Sequence, residues 1–255
     1  MFLFIDVPAS RSLIEPLAAL FSAPADATAR WRAVLDKTAV LHAGVLLSPG
    51  SAPSIAAVAT GRFSPASVSL RLNSSLSWRR FELEGGARSY WRHRKQPLEV
   101  AAPECGLLLV SAGQGQGAES LIARWKKPGL NPLAAVAPAN AQILQGAAAY
   151  LFIPEVQPFR NGWLTVRLEG GQAFLSCALT IEEGADPRSL QNLIRLLAVS
   201  WMRKAGLADI PARIRDMQIE VDGGTVLASG LRLEPFEVVK AVEALRAASG
   251  AGGGG

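Results

Sequence analysis

Residues 163–201 read WLTVRLEGGQAFLSCALTIEEGADPRSLQNLIRLLAVSW, and they decide how the rest of the chain is interpreted. Two apolar runs flank the Glu-Gly-Gly loop at 169–171, whose two glycines are typical of a tight hairpin. Asp186 and Pro187 follow; the aspartate can accept hydrogen bonds from the free amides of a first helical turn, and proline suits the first helical position. The stretch therefore predicts a hairpin followed by a helix.

The predicted helix concentrates its apolar residues on one side. They recur at steps of three and four, which predicts a buried face made of Leu190, Leu193, Ile194, Leu197 and Trp201. A second hairpin is predicted from 214–221 and 225–231 around an Asp-Gly-Gly turn, and a second helix runs from Pro235 to about Ala247. Hairpin, helix, hairpin and helix in this order predict an antiparallel sheet with both helices on one face.

The first half of the chain carries a looser version of the same pattern. Gly61, Phe63 and Pro65 end an apolar strand and begin a helix, as Asp186 and Pro187 do later. The aromatic-rich runs 2–5 and 150–153 each precede a proline, which marks them as the first strands of two repeated units. We therefore predict an α+β chain with units at 1–135 and 136–248 and a flexible glycine-rich tail at 249–255.

The stretch around Gly61, Phe63 and Pro65, the aliphatic helix after it and the strand 107–111 carry a family resemblance. They resemble a group of uncharacterised, often exported bacterial proteins built of repeated half-ferredoxin-like units. The resemblance implies two ferredoxin-like units with antiparallel sheets and helices mainly on one face. It brings no functional residue with it, because none is established in that group.

Composition bounds the class of protein. Half of the residues are hydrophobic (49%), the mean hydropathy is +0.22 and only 18% are charged, so sizeable cores are expected, with apolar surface left for a partner. No apolar run approaches the length of a spanning helix, so no transmembrane segment is predicted. Residues 1–5 are too short for a signal peptide. The cytoplasm is therefore expected for the chain as written, and the periplasm or cell envelope only if a leader is removed before Met1.

Few residues suit catalysis or metal binding. Cys105 and Cys177 lie far apart without metal-ligand spacing and are predicted to be buried free thiols, with a disulfide as the alternative. His42 and His93 are the only histidines, too few for a histidine-rich metal site. No nucleophile motif is present. We therefore predict no catalytic residue, no metal and no cofactor, and a protein that is not an enzyme.

Residues 71–95 are the one stretch with an uneven charge. They hold seven Arg or Lys and two Glu, so their net charge of +5 equals that of the whole chain. Aromatic residues are interleaved with these cations. Such a local excess suits an anionic partner. The alternative is a solvated hairpin whose arginine stems cover apolar surface. A hairpin is predicted over 79–94, and its candidate binding surface consists of Arg79, Arg80, Arg88, Tyr90, Arg92, Arg94 and Lys95.

These observations favour a non-catalytic scaffold or binding protein, with a cell-envelope association if it is exported. It would act through contacts with a protein partner or with a second copy of the chain, and no small-molecule substrate is expected. One alternative is binding of a polyanion, either nucleic acid or an anionic envelope surface, through 71–95. A further alternative is an enzyme that holds a phosphate ligand at the glycine loop 113–117, between a strand and a helix.

Overall fold

The computed structural model describes most of the chain. The described residues are 1–21, 32–46, 54–83, 88–113, 117–125, 144, 146–154, 159–181, 186–222 and 224–251. Their elements, in chain order, are β1 (Phe2–Asp6), α1 (Arg11–Phe21), β2 (Thr38–Leu46), β3 (Ser54–Gly61), α2 (Pro65–Asn73), β4 (Trp78–Glu82), β5 (Ser89–His93), β6 (Leu98–Ala101), β7 (Leu107–Ala112), α3 (Ala118–Trp125), β8 (Ala149–Ile153), β9 (Phe159–Glu169), β10 (Gln172–Ile181), α4 (Pro187–Lys204), α5 (Ile210–Asp216), β11 (Gln218–Asp222), β12 (Thr225–Leu233) and α6 (Pro235–Ala251).

The chain divides into two compact units. Unit 1 contains residues 1–8 and 33–136, and unit 2 contains residues 9–32 and 137–255. The sequence suggested a simple division after residue 135, whereas the structure also assigns 9–32, and with them α1, to unit 2. All described strand pairs are antiparallel, so the α+β class with antiparallel sheets is confirmed.

The described residues of unit 1 form seven strands in the order β1-β2-β3-β7-β6-β5-β4. Alternate residues of β7 face opposite sides of the sheet: Leu107 and Leu109 pack with Ile122 of α3, whereas Leu108 packs with Val68 of α2. We call these sides the α3 face and the α2 face. The expectation that helices lie mainly on one face is therefore wrong for unit 1, because the alternating side chains of β7 are apolar on both faces.

Where the structure describes unit 2, its strands are five and follow the order β8-β9-β10-β12-β11. One core cluster joins the sheet residues Ala173, Leu175 and Val226 to Ile194 of α4 and Ala241 of α6, so both helices cover the same face as predicted. Helix α1 packs against α6, and α5 packs against β12.

The predicted face of α4 needs one correction. Leu190 and Ile194 are buried, but Leu197 is 54% exposed, and its neighbour Leu196 is 67% exposed. Met202, which the pattern did not include, is fully buried in the core. The sheet thus contacts a stripe of α4 that passes to one side of Leu197 in the second half of the helix.

Local signals correctly predicted the turn between β9 and β10 and the start of α4. Gly170 and Gly171 form a two-residue turn with φ of 57° and 82°, which glycine adopts without a steric cost. Helix α4 begins at Pro187, and the Asp186 carboxylate accepts from the backbone amides of Arg188 and Ser189. The hydrogen bonds from Ser189 lower the pKa of Asp186, which keeps the capping carboxylate ionised.

Two predicted boundaries are wrong. Residues 214–216 were predicted to begin a strand, but they end helix α5, and β11 begins only at Gln218. Residues 249–251 were assigned to a flexible tail, but α6 continues through Ala251. Residues 252–255 lie outside the described residues.

The two units repeat one arrangement of strands. The order β1-β2-β3-β7-β6 of unit 1 corresponds strand for strand to β8-β9-β10-β12-β11 of unit 2. Helix α2 follows β3 as α4 follows β10, each beginning with a proline. The capping differs, because the Asp186 side chain caps α4, whereas the Ser64 side chain makes no cap hydrogen bond within the described residues. Unit 1 then adds β4 and β5, which have no counterpart among the described residues of unit 2.

The half-buried His42 gives unit 1 a predicted pH dependence. Its ring lies 5.3 Å from that of Phe4 and 5.9 Å from that of Phe2, and burial lowers its pKa from 6.5. Protons therefore bind the unfolded chain more tightly than the folded one. The unfolding free energy should fall as the pH drops through about 6.5 and go on falling to the lower pKa of the folded state.

Urea denaturation at several pH values between about 8 and about 5, a range that includes the ordinary histidine pKa, measures this effect. His42→Leu should have a shallower loss of stability on the acid side than the unmodified chain. Parallel pH profiles for the two proteins would contradict the assignment to His42.

None of the helices in the described ranges has the length and apolar character needed to cross a membrane.

Candidate functional site: the basic hairpin

The hairpin of β4 and β5 ends the strand order of unit 1, with β4 outermost. Its register places Arg79 opposite Arg92, Phe81 opposite Tyr90, and Arg80 opposite Trp91. Successive residues of a strand point to opposite faces. Arg79 and Arg92 therefore share the α3 face, whereas Arg80 lies on the α2 face.

Phe81 is the centre of the α3 face of the hairpin. Its ring stacks on that of Tyr90, with the centroids 5.3 Å apart, and the guanidinium carbons of Arg79 and Arg92 lie 5.2 and 4.9 Å from its centroid. Both cations meet the electron-rich ring, an arrangement that holds their side chains near the sheet. Tyr90 itself is 7% exposed and belongs to the core with α3, so its prediction as a surface residue is wrong.

Arg92 is committed to an interaction inside the unit. Its Nε donates to Glu99 Oε1 at 2.6 Å, and the other oxygen of Glu99 accepts from the backbone amide of Ala118 at 2.7 Å. The hydrogen bond to Glu99 raises the pKa of Arg92. One carboxylate thus joins β5 to the first residue of α3, where the positive end of the helix also favours it.

A shallow cavity of about 250 Å³ opens beside this ion pair, and Tyr90, Arg92, Glu99 and Ser120 are among its lining residues. A phosphate held by the glycine loop would need the amide of Ala118, which here donates to Glu99. The carboxylate would also repel such an anion. Residues 114–116 of the glycine loop lie outside the described residues.

The α2 face of the hairpin is more polar. The Arg80 guanidinium donates twice to Ser89 Oγ, at 3.0 and 2.8 Å, and lies 3.3 Å from Glu82. Both side chains of this ion pair are about half exposed or more, so it contributes little to stability. Trp91 is buried and donates from its indole nitrogen to Asn73 Oδ1 of α2 at 2.8 Å.

A turn after β5 carries the last two cations. His93 Nδ1 accepts from the backbone amides of Lys95 and Gln96, at 3.3 and 3.1 Å, and Trp78 packs edge-on against the His93 ring. Arg94 and Lys95 are exposed on this turn. Within the described residues, Arg94 and Lys95 form no ion pair, and neither do Arg79 and Arg88.

The seven predicted residues therefore do not form one patch. Arg79, Arg88 and Arg92 lie on the α3 face, Arg80 on the α2 face, and the two cations of the turn beyond them. They surround the outer strand rather than covering one flat surface. The sequence missed Glu99 as the partner of Arg92, because β6 was not predicted as a strand.

Other candidate chemistry is sparse. Cys105 is exposed, against the prediction that it is buried, and Cys177 is half-buried; both are free. Burial raises the pKa of the Cys177 thiol, which makes it a weaker nucleophile. Across the part of the chain that the structure describes, no group of three or more His, Cys, Asp or Glu could hold a metal ion.

Comparison with known proteins shows a likeness of fold. No protein-family profile matches the chain, and no curated protein matches it in sequence. The fold is similar to that of TP0453. Crystal form III of TP0453 gives a TM-score of 0.66 at 13% identity, covering 94% of this chain and 92% of the other. Crystal form I gives a TM-score of 0.63 at 13% identity, covering 96% and 92%.

Proposed function

We propose that the protein is a non-catalytic binding protein that docks an acidic protein partner on the hairpin of β4 and β5. The observation that carries the proposal is the ring of cations around this outer hairpin, several of them without an ion pair in the described residues. Residues 71–95, which include the hairpin, carry a net charge of +5, equal to that of the whole chain. Complementary charge speeds association and selects partners.

A protein partner is favoured over nucleic acid by the placement of these cations. A nucleic acid backbone calls for a continuous row of Lys and Arg. Here Arg79 and Arg80 face opposite sides of the sheet, and Glu99 neutralises Arg92. An extended acidic segment of a protein can meet cations on both faces of the sheet, because its own side chains alternate.

Charge reversal of the cations without ion pairs should separate binding from folding. Arg79→Glu, Arg94→Glu and Lys95→Glu combined should weaken binding of an acidic peptide at least about tenfold, because the steering charge is inverted. The melting temperature should change little, since exposed cations contribute little to stability. Fluorescence anisotropy with a labelled glutamate-rich peptide, followed by thermal denaturation, measures both quantities.

The matched control reverses three exposed cations outside the hairpin: Arg160, Arg188 and Arg195. This control variant has the same net charge as the hairpin variant, and it should bind the peptide as tightly as the unmodified protein does. Loss of binding in both triple variants would mean that net charge rather than the hairpin attracts the peptide. Tighter binding of a single-stranded oligonucleotide of equal charge, with a steep dependence on salt, would favour the polyanion alternative.

We also infer that the two units are repeated half-ferredoxin-like units. The matching five-strand orders and the proline-started helices α2 and α4 support this interpretation. An association with the cell envelope remains part of the proposal for an exported form of the chain.

A further inference from the structure

The outer edge of β4 carries backbone groups that no described residue satisfies. The amide of Leu83 donates to the carbonyl of Arg88, and the amide of Arg94 donates to the carbonyl of Ser77. Hydrogen-bonded and non-hydrogen-bonded pairs alternate along an antiparallel ladder. Leu83 and Ser77 bond to the β5 side, so the alternate residues between them, Arg79 and Phe81, also direct their backbone groups toward β5. Arg80 and Glu82 direct their backbone groups outward.

These outward groups form a short template for another strand. Within the described residues, the amides of Arg80 and Glu82 have no acceptor. The side chains of both residues are also exposed, at 48% and 61%. An exposed strand edge of this kind pairs readily with an extended chain.

The cations beside this edge indicate what kind of chain fits it. A strand added to β4 would place successive side chains about 5 Å from those of β4, on alternate faces of the sheet. One of its residues would then lie near Arg79 on the α3 face and the next near Arg80 on the α2 face. Two adjacent acidic residues satisfy both positions, whereas two adjacent basic residues would be repelled.

We infer that β4 binds its partner by strand addition, accepting an extended segment with adjacent acidic residues as an eighth strand of unit 1. The inference rests on the proposed function and specifies how the hairpin of β4 and β5 recognises its partner. Main-chain hydrogen bonds to Arg80 and Glu82 hold the segment, and Arg79 and Arg80 select its charge.

Blocking the edge amide tests the inference in the full chain. Arg80→Pro removes the outward amide, and proline is tolerated in an edge strand because no bond within the sheet is lost. Arg80→Ala is the matched control, since it loses the same side chain but keeps the amide. A short labelled peptide with two adjacent glutamates between valines and threonines should bind Arg80→Pro at least about tenfold more weakly than Arg80→Ala.

A second arm changes the peptide and leaves the protein unmodified. Two versions carry N-methyl groups on alternate residues, one on the odd and one on the even positions. The two peptides have the same charge and differ only in which of their strand edges has its amides methylated. Only the peptide whose methyl groups face β4 should lose binding, because it cannot form the main-chain hydrogen bonds.

The outcomes separate the two proposals. Equal affinity of Arg80→Pro and Arg80→Ala, together with equal binding of the two methylated peptides, would overturn strand addition. If the reversal of Arg79, Arg94 and Lys95 still abolished binding in that case, the proposed function would stand. Absence of peptide binding to the unmodified protein would overturn both, and binding of an oligonucleotide instead would assign the hairpin to nucleic acid.

Discussion

Gly61→Ala is expected to destabilise unit 1 by about 3 kcal/mol or more. A Cβ atom at this position would lie 2.0 Å from the backbone oxygen of Lys37 and 2.9 Å from the amide nitrogen of Ala39. Both atoms belong to the backbone, so no side-chain rotation relieves the overlap. The oxygen of Lys37 also accepts from the amide of Arg62, which holds it in place.

Chemical denaturation of the two glycine variants gives the comparison. Gly44 lies on the neighbouring strand β2, where a Cβ atom would be 3.9 Å from the oxygen of Ala56, an ordinary contact. Gly44→Ala should therefore change the free energy of unfolding by less than about 1 kcal/mol. Equal midpoints for the two variants would show that the chain at Gly61 relaxes more easily than its packing indicates.

Glu237→Ala is expected to lower the free energy of unfolding of unit 2 by about 3 kcal/mol. Its carboxylate accepts hydrogen bonds from both terminal nitrogens of Arg213, at 2.8 and 3.1 Å. It also accepts one from the backbone amide of Glu234, the residue directly before α6. The side chains are only 20% (Arg213) and 9% (Glu237) exposed. The substitution leaves a largely buried guanidinium without its counterion and removes a helix cap.

A double-mutant cycle isolates this pair. Arg213→Met with Glu237→Met should cost less than the sum of the single changes, because neither charge is left alone. The pair of Arg11 and Glu15 is the control: it has the same 2.8 Å separation but exposures of 57% and 38%, so Glu15→Ala should cost less than about 0.5 kcal/mol. Additive single changes at Arg213 and Glu237 would rule out the coupling.

Sequence patterns were sufficient where the cause of a structure is local. The turn at Gly170 and Gly171 and the cap at Asp186 depend on residues within three positions of one another, and both were predicted. The motif of Gly61, Phe63 and Pro65 also has a structural explanation: close backbone packing at Gly61, a buried ring at Phe63, and the first position of α2 at Pro65.

Patterns were insufficient where distant segments meet. Tyr90 and Trp91 are successive residues of β5 and point to opposite faces, but the sequence could not reveal that α2 and α3 each cover one of those faces. Arg213 and Glu237 are separated by 24 residues and lie on α5 and α6, so their pairing depends on how the helices pack. The spacing of apolar residues does not encode such contacts.

The strand order of unit 1 makes the hairpin of β4 and β5 a modular addition. Removing it from the order would leave β1-β2-β3-β7-β6, the arrangement that unit 2 has in β8-β9-β10-β12-β11, with every remaining pair intact. Variation in the hairpin therefore leaves the shared five-strand framework unbroken, although Phe81 and Tyr90 must remain apolar to cover their side of the core. Substitutions of its exposed charges therefore change the surface of unit 1 without altering the strand pairs that the two units share.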